Sequence, residues 1–452
     1  MQTLDINILL QPLLQKIAEL EARIKYLEAE NAALKQQKNS NNSHIPPSQD
    51  QNRVKKNRSL RQTTTKKVGG QEGHIGTTLA CRSDVDEVVK HSPKTCESCG
   101  TNFQTNLEQL VSTRQLIDIP PIALQVIEHR VYKQHCSCGH TSVGNFPKYV
   151  ANPVQYGPNV ESLIAYLHSR QYLPYQRTKE FLNDVMGLSI STGGINNILQ
   201  RIAQKALPMY NIIKEKIAEA SVVGVDETGI NINGKNNWAW TWQNEQLTYI
   251  VCAASRGFKT VQEVFENGFP NATLIHDRWA CHFQTNAKEH QICTAHLLRE
   301  LNYINELYKD ECIWAKEFKE VLVAAINLKK DFTTADYYYE NKKRDALFEK
   351  LNLWLHYQID EEHKKAKTLQ KKLLAKKDAI LYFLTKANVP PDNNGSERAI
   401  RNIKVKQKIS GQFKTLDTAN VFAVIRSIID TTIKNGCNVF NALHLIATCG
   451  TE

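Results

Sequence analysis

The chain has 452 residues, enough for two to four globular units that could each bury a core. Its formal charge of +11 suits a polyanionic partner, either nucleic acid or an anionic membrane surface. No apolar run approaches the roughly 20 residues needed to span a bilayer, and the start MQTLDINILLQPLLQ lacks the layout of a secretory signal. A cytoplasmic protein with no membrane partner is therefore expected. The eleven cysteines are scattered and odd in number, which excludes a disulfide scaffold.

Residues 10–38 carry a heptad. Leu13, Leu20, Leu27 and Leu34 fall at d, and Leu10, Ile17, Ile24 and Asn31 fall at a. Leu at d with Ile at a favours a parallel two-stranded coil, and one Asn at a fixes its register. The facing pairs Lys16–Glu21, Arg23–Glu28 and Glu30–Lys35 are all of opposite sign. We expect a coiled-coil dimerisation helix over 1–38 and a homodimer. Residues 39–80 are polar, basic and poor in aromatics, so they read as a flexible linker that can also track a phosphate backbone.

Residues 81–150 combine strand-like runs with two cysteine pairs, Cys96-x-x-Cys99-Gly and Cys136-x-Cys138-Gly. Paired cysteines followed by Gly are the knuckles of a zinc ribbon, in which four thiolates hold a structural Zn²⁺. The second pair is tighter than usual, which leaves His135 or His140 open as a substitute ligand. Residues 151–215 predict a helical unit. Its pieces NVESLIAYLHSR, QRTKEFLNDVM and TGGINNILQRIAQKA, with MGLSIS between the last two, outline a helix-turn-helix that either binds DNA or simply packs.

From 221 to 450 the pattern changes. SVVGVDETGININ, WAWTWQ, LTYIVCAAS, ATLIHD and HQICTAH read as five strands, with a helix KTVQEVFEN between the third and fourth. A long charged helical stretch and a final basic helical region follow. Strands and helices in this order describe a ribonuclease-H-like α/β fold, in which strands one and four lie parallel and adjacent. Asp226 ends the run VVGV and Asp277 ends ATLIH, so both acids should meet at one sheet edge. Such a pair repels itself, and a divalent cation such as Mg²⁺ relieves the repulsion.

Glu397 is the third candidate acid. It follows PPDNNGS, in the first turn of a helix, with Arg398, Arg401, Lys404, Lys406 and Lys408 after it as DNA-binding candidates. Three such acids can hold metal ions for in-line phosphoryl displacement. Taken singly, each acid has a bland reading: a turn residue, or for Glu397 a partner of Arg401. The residues Trp238, Trp240 and Trp242 share one strand face and are expected in the core.

The sequence also resembles the DDE transposases of the IS-sixty-six group of insertion sequences, over nearly its whole length. The matching stretches are the zipper, NSNNSHIPPSQD, GGQEGHIG, the cysteine pairs, VVGVDET, HDRWACHF, CTAHLLREL and DNNGSERAIRNIKVKQKISGQF. The resemblance implies a multidomain protein: coiled coil, zinc-ribbon-like unit, helical domain, and a ribonuclease-H-like catalytic domain with an all-α insertion at about 300–385. It implies metal-dependent DNA cleavage and strand transfer at element ends, with Asp226, Asp277 and Glu397 holding Mg²⁺ or Mn²⁺. Cys293 and His296 would support the active site rather than bind a second metal. Terminal repeats, target DNA and small accessory proteins are the implied partners. HDRWACHF departs from the usual Gly and Tyr-rich continuation, and its Arg278 adds positive charge there. A non-catalytic DNA-binding regulator, a decayed copy or a structure-specific nuclease are the rival readings.

Overall fold

A computed structural model describes residues 6–35, 73, 79–103, 109–120, 122–147 and 150–449. The linker expected over 39–80 lies outside the described residues, apart from positions 73, 79 and 80. The chain divides into two compact units, one of residues 54–124 and one of residues 1–53 with 125–452.

In the smaller unit the first cysteine pair sits on a tight turn. Cys96 N donates to Thr101 O, Gly100 N donates to Cys96 O, and Thr95 bridges Asn102. Gly100 takes φ +73°, a left-handed conformation that favours glycine.

The larger unit begins with α1 (Ile6–Lys35). Ile17, Leu20, Ile24 and Leu27 lie 41–55% exposed along it, so these a/d side chains are uncovered in the single chain. Another side of the helix is engaged: Lys25 pairs with Glu362 at 2.7 Å, and Lys364 lies over the Tyr26 ring. Strands β1 (Lys133–His135) and β2 (Thr141–Val143) form a hairpin around the second cysteine pair.

Three helices follow where the sequence placed them: α2 (Pro158–Ala165), extended by a π-helical turn over Tyr166–Arg170, α3 (Tyr175–Met186) and α4 (Thr192–Ala218). Gly187 ends α3 in the left-handed conformation, and the Ser191 hydroxyl caps α4 by accepting from Gly194 N at 2.9 Å. The apolar face of α4, including Ile195, Leu199 and Ile202, is spent in a core shared with sheet residues Val223, Trp240 and Trp242. Plain packing therefore accounts for that face. Each such side chain contributes about 1.5–3 kcal/mol on burial, far more than its weak local helix preference.

The central sheet has five strands: β3 (Val222–Ile232), β4 (Lys235–Gln243), β5 (Thr248–Ala253), β6 (Phe269–His276) and β7 (Ala287–Ile292). Their spatial order is β5-β4-β3-β6-β7, with β3–β4–β5 antiparallel and β6 and β7 parallel to β3. Asn233 and Gly234, both at positive φ, make the two-residue turn that closes the β3–β4 hairpin. Trp240 and Trp242 stack and are buried, as their spacing predicts, whereas Trp238, expected in the core with them, is only half-buried near the hairpin end of β4. A short helix α5 (Phe258–Val264) precedes β6, and α6 (Ala280–Gln284) precedes β7.

Helices α7 (Thr294–Leu307), α8 (Ile313–Asp331), α9 (Lys342–Leu355) and α10 (Lys364–Leu374) build a second apolar core with Ile275 and Ile292 of the sheet. The chain returns through α11 (Asn394–Ser410), α12 (Leu416–Lys434) and α13 (Val439–Thr448). Among the described residues no helix is long and apolar enough to cross a membrane.

Candidate active site

The register of β3 on β6 pairs Val222 with Thr273, Val223 with Leu274 and Gly224 with Ile275. Continued by two residues, that register would bring Asp226 level with Asp277, and the Asp277 charge is one of those that act on the Asp226 carboxyl. Asp226 is not the last residue of its strand: β3 runs on to Ile232 as one arm of the hairpin. Burial first, then the neighbouring carboxylates of Glu227 and Asp277, push the Asp226 carboxyl well above the usual range. Asp277 follows the end of β6, and its Oδ1 accepts from Trp279 N at 2.8 Å.

Glu397 reaches this region through the segment before it. The Asn393 side chain donates to Val225 O at 2.7 Å, one residue from Asp226, and Ser396 Oγ donates to Asn393 Oδ1 at 2.7 Å. Two glycines permit the approach. A Cβ on Gly224 would collide with Asn393 Oδ1, and one on Gly395 would lie 2.6 Å from the Gln243 amide. The unusual composition of DNNGSE is thus that of a helix start pressed against a strand. The Glu397 carboxylate lies in the first turn of α11, 3.0 Å from Arg299 Nη2 and 3.7 Å from His296 Nε2. Its partner is Arg299 on α7, rather than the Arg401 expected of an isolated helix.

Cys293 is buried, its thiol accepts from Asn393 N at 3.2 Å, and burial pushes it up to about 12. Arg278 pairs with Glu300 on α7, so its charge is neutralised locally. In the basic helix, Arg398, Arg401 and Lys408 are exposed. Lys404 instead donates to the Gly229 carbonyl. Lys406 is buried and donates to Leu173 O, and burial lowers it to about 7. These two lysines face inward because their side of α11, with Ala399 and Ile403, closes on the fold.

The sequence reading missed Glu227, His282 and Arg256. His282 Nε2 lies 3.0 Å from Glu227 Oε2 and 3.5 Å from Asp277 Oδ1. Burial opposes a charge on His282, yet Cys281, Glu227 and Asp277 together raise it to about 10. Burial likewise pushes Glu227 up, but His282 and the Arg256 guanidinium at 2.6 Å outweigh it and hold the carboxyl below its usual range. The signal available in sequence was His282 five residues after Asp277, but nothing in one chain links it to Glu227.

Among the described residues no group of three or more His, Cys, Asp or Glu side chains is arranged to hold a metal ion. The chemistry of Asp226 and Asp277 nevertheless fits a hard divalent cation, because burial and the nearby carboxylates of Glu227 and Asp277 all disfavour the charged Asp226, and a cation would relieve that. Glu397 would have to exchange Arg299 for the cation. The cysteine turns fit half-sites for zinc. In each, the two thiols interact, and Thr101 at Cys99 and the Cys138 backbone at Cys136 lead the lowering of one thiol. His135 Nδ1 is instead 2.8 Å from Thr141 Oγ1 across the β1–β2 hairpin.

The family model described as "Transposase IS66 family" matches residues 153–421, well over half of the chain. This chain belongs to the IS66 transposase family. A second match, the "zinc-finger binding domain of transposase IS66", covers residues 93–139 and spans both cysteine pairs. Residues 2–80 match a family of unknown function. Curated proteins include no match. Membership in this insertion-sequence family brings a zinc finger and DNA binding with it.

Proposed function

We propose that this IS66-family chain is an active transposase that cuts and joins DNA in a ribonuclease-H-like domain, using Asp226, Asp277 and Glu397. The observation that supports the reading is the β3–β6 register, which continued by two residues would bring Asp226 level with Asp277, together with the Asn393–Val225 bond that ties the start of α11 to β3. Asp226, Asp277 and Glu397 would hold Mg²⁺ or Mn²⁺, which would polarise the phosphate and the attacking oxygen.

The rest of the work falls to the chain itself. His282 and Trp279 N hold the Asp277 carboxylate at the sheet edge. Asn393, Ser396 and Cys293 fix the start of α11, and with it the height of Glu397 over the sheet. Exposed Arg398, Arg401 and Lys408 contact the DNA backbone, joined by the basic segment before the cysteine pairs. In the reaction an oxygen of water, or of a DNA 3′-hydroxyl, bonds to phosphorus as the bond to the leaving 3′ oxygen breaks. The zinc unit takes Zn²⁺ on Cys96, Cys99, Cys136 and Cys138. The a/d stripe of α1 pairs two copies, so that two element ends can be held together in the cytoplasm.

The deciding experiment is a strand-transfer assay with Mg²⁺ and DNA carrying the flanking terminal repeats. Asp226→Asn should lower cleavage and joining by at least about a thousandfold, as removal of a key transition-state charge does, while leaving DNA affinity within about twofold. Undiminished cleavage by that variant sinks the triad. A parent protein that binds the repeats and never cuts them would be a regulator.

A further inference from the structure

A cleft of about 620 Å³ opens between the β3–β4 hairpin and α11, lined by Asn231, Asn236, Trp238, Arg256, Lys404 and Gln407. Its size suits a small organic group. Glu227, the neighbour of Asp226 in β3, lies in its wall.

The chemistry of the wall narrows the occupant. Its cations are already engaged: Arg256 binds Glu227 at 2.6 Å and Lys404 donates to the Gly229 carbonyl. With the Glu227 carboxylate also present, a phosphate gains little there. The side-chain oxygens Asn231 Oδ1 and Gln407 Oε1 are buried and have no hydrogen-bond partner. Such atoms are costly unless a ligand supplies a donor. Turning either amide over merely exchanges a need for a donor with a need for an acceptor, and a base edge offers both. The remaining surface is flat. The Arg256 guanidinium lies 4.9 Å from the Trp238 ring and 4.1 Å from the Trp279 ring, a stack that runs from the cleft to the residue two places after Asp277.

We propose that this cleft takes one unpaired nucleobase of the DNA substrate, stacked on the Trp238–Arg256 surface and read at its edge by Asn231 and Gln407. The inference rests on the reading of the chain as a DNA-joining enzyme. The base comes from a nucleotide flanking the phosphate at the acids, flipped out of the helix and held there.

The test uses the full-length protein and three fluorescein-labelled duplexes of one sequence: fully paired, with a single unpaired adenine, and with an abasic residue in the same bulge. The adenine bulge should bind about tenfold more tightly than the abasic bulge, the size of one base–aromatic stack. Trp238→Ala and Gln407→Leu should each abolish that preference, Trp238→Phe should retain it, and unchanged affinity for the paired duplex shows that the variants are folded. Equal binding of the two bulges, or a preference that survives both variants, overturns the inference and leaves the enzyme reading intact. Failure to bind any of the three duplexes overturns the enzyme reading itself. Trp238-dependent binding of free adenosine, with no preference among the bulges, assigns the cleft to a free nucleoside and overturns the DNA inference.

Discussion

Asp226 and Glu227 are neighbours in β3 with opposite electrostatic fates. Burial, with the carboxylates of Glu227 and Asp277 behind it, pushes the Asp226 carboxyl up, whereas Glu227 is locked to His282 and Arg256 and is held down. The difference is one of partners: two cationic side chains bond Glu227, while burial dominates at Asp226. The positions of Asp226 and Asp277 were legible, because each acid follows a strand-like run, VVGV and ATLIH. Glu227 was not, because its partner His282 comes from 55 residues away. Lys406 was misplaced among the DNA-facing cations, although Ala399, Ile403 and Lys406 stand at i, i+4 and i+7 and so share one helix face. Its burial has a measurable consequence. With its ammonium lowered to about 7, the folded protein binds fewer protons at Lys406 than the unfolded chain from there up to about 10. The stability contributed by this group therefore rises as pH increases through that window. Urea midpoints should show that rise in the parent and a smaller one in Lys406→Met. An identical pH slope in the two proteins would remove Lys406 from the account.

At the scale of elements, α1 and the cysteine turns carry the clearest expectations. The heptad reads directly from sequence because a coiled coil is a local, periodic object, and Ile17, Leu20, Ile24 and Leu27 do lie exposed. Leu20→Lys with Leu27→Lys should turn a dimer into a monomer in sedimentation, since each buries a charge in the seam. A dimer that survives both changes must be held elsewhere. The cysteine turns predict about one zinc per chain, as one tetrahedral four-thiolate site requires. Cys96→Ser with Cys99→Ser should lose it by elemental analysis, and full zinc retention would exclude those ligands. The α3–α4 hairpin was legible as helices but not in its role. Cap residues mark where a helix starts, while only packing tells which face the core consumes.

At the scale of the molecule, the sheet and its order followed from the succession of apolar runs, and the parallel β3–β6 pair is where that order matters. What the runs do not give is how the chain comes back to the sheet more than a hundred residues after Asp277. The structure answers with a stitch. Thr294 N and Oγ1 both donate to Pro391 O, at 3.0 and 2.9 Å, and Asn393 N donates to the Cys293 thiol. The chain leaves the sheet and returns to it at one point. The helices between pack round a core that also takes in Ile275 and Ile292 of the sheet, and Gln291 of β7 bonds to Ile380 O and Phe383 N. Such an arrangement behaves as a cassette. The entropy of closing a loop grows only slowly with its length, and here the closure is secured by the stitch. Evolution can therefore lengthen, shorten or redecorate the cassette without moving Glu397 along the sheet. Its Arg299 can still grip that acid from the cassette side. A grafted cassette from a relative would carry its own grip on the acid, and so its own threshold for letting it go.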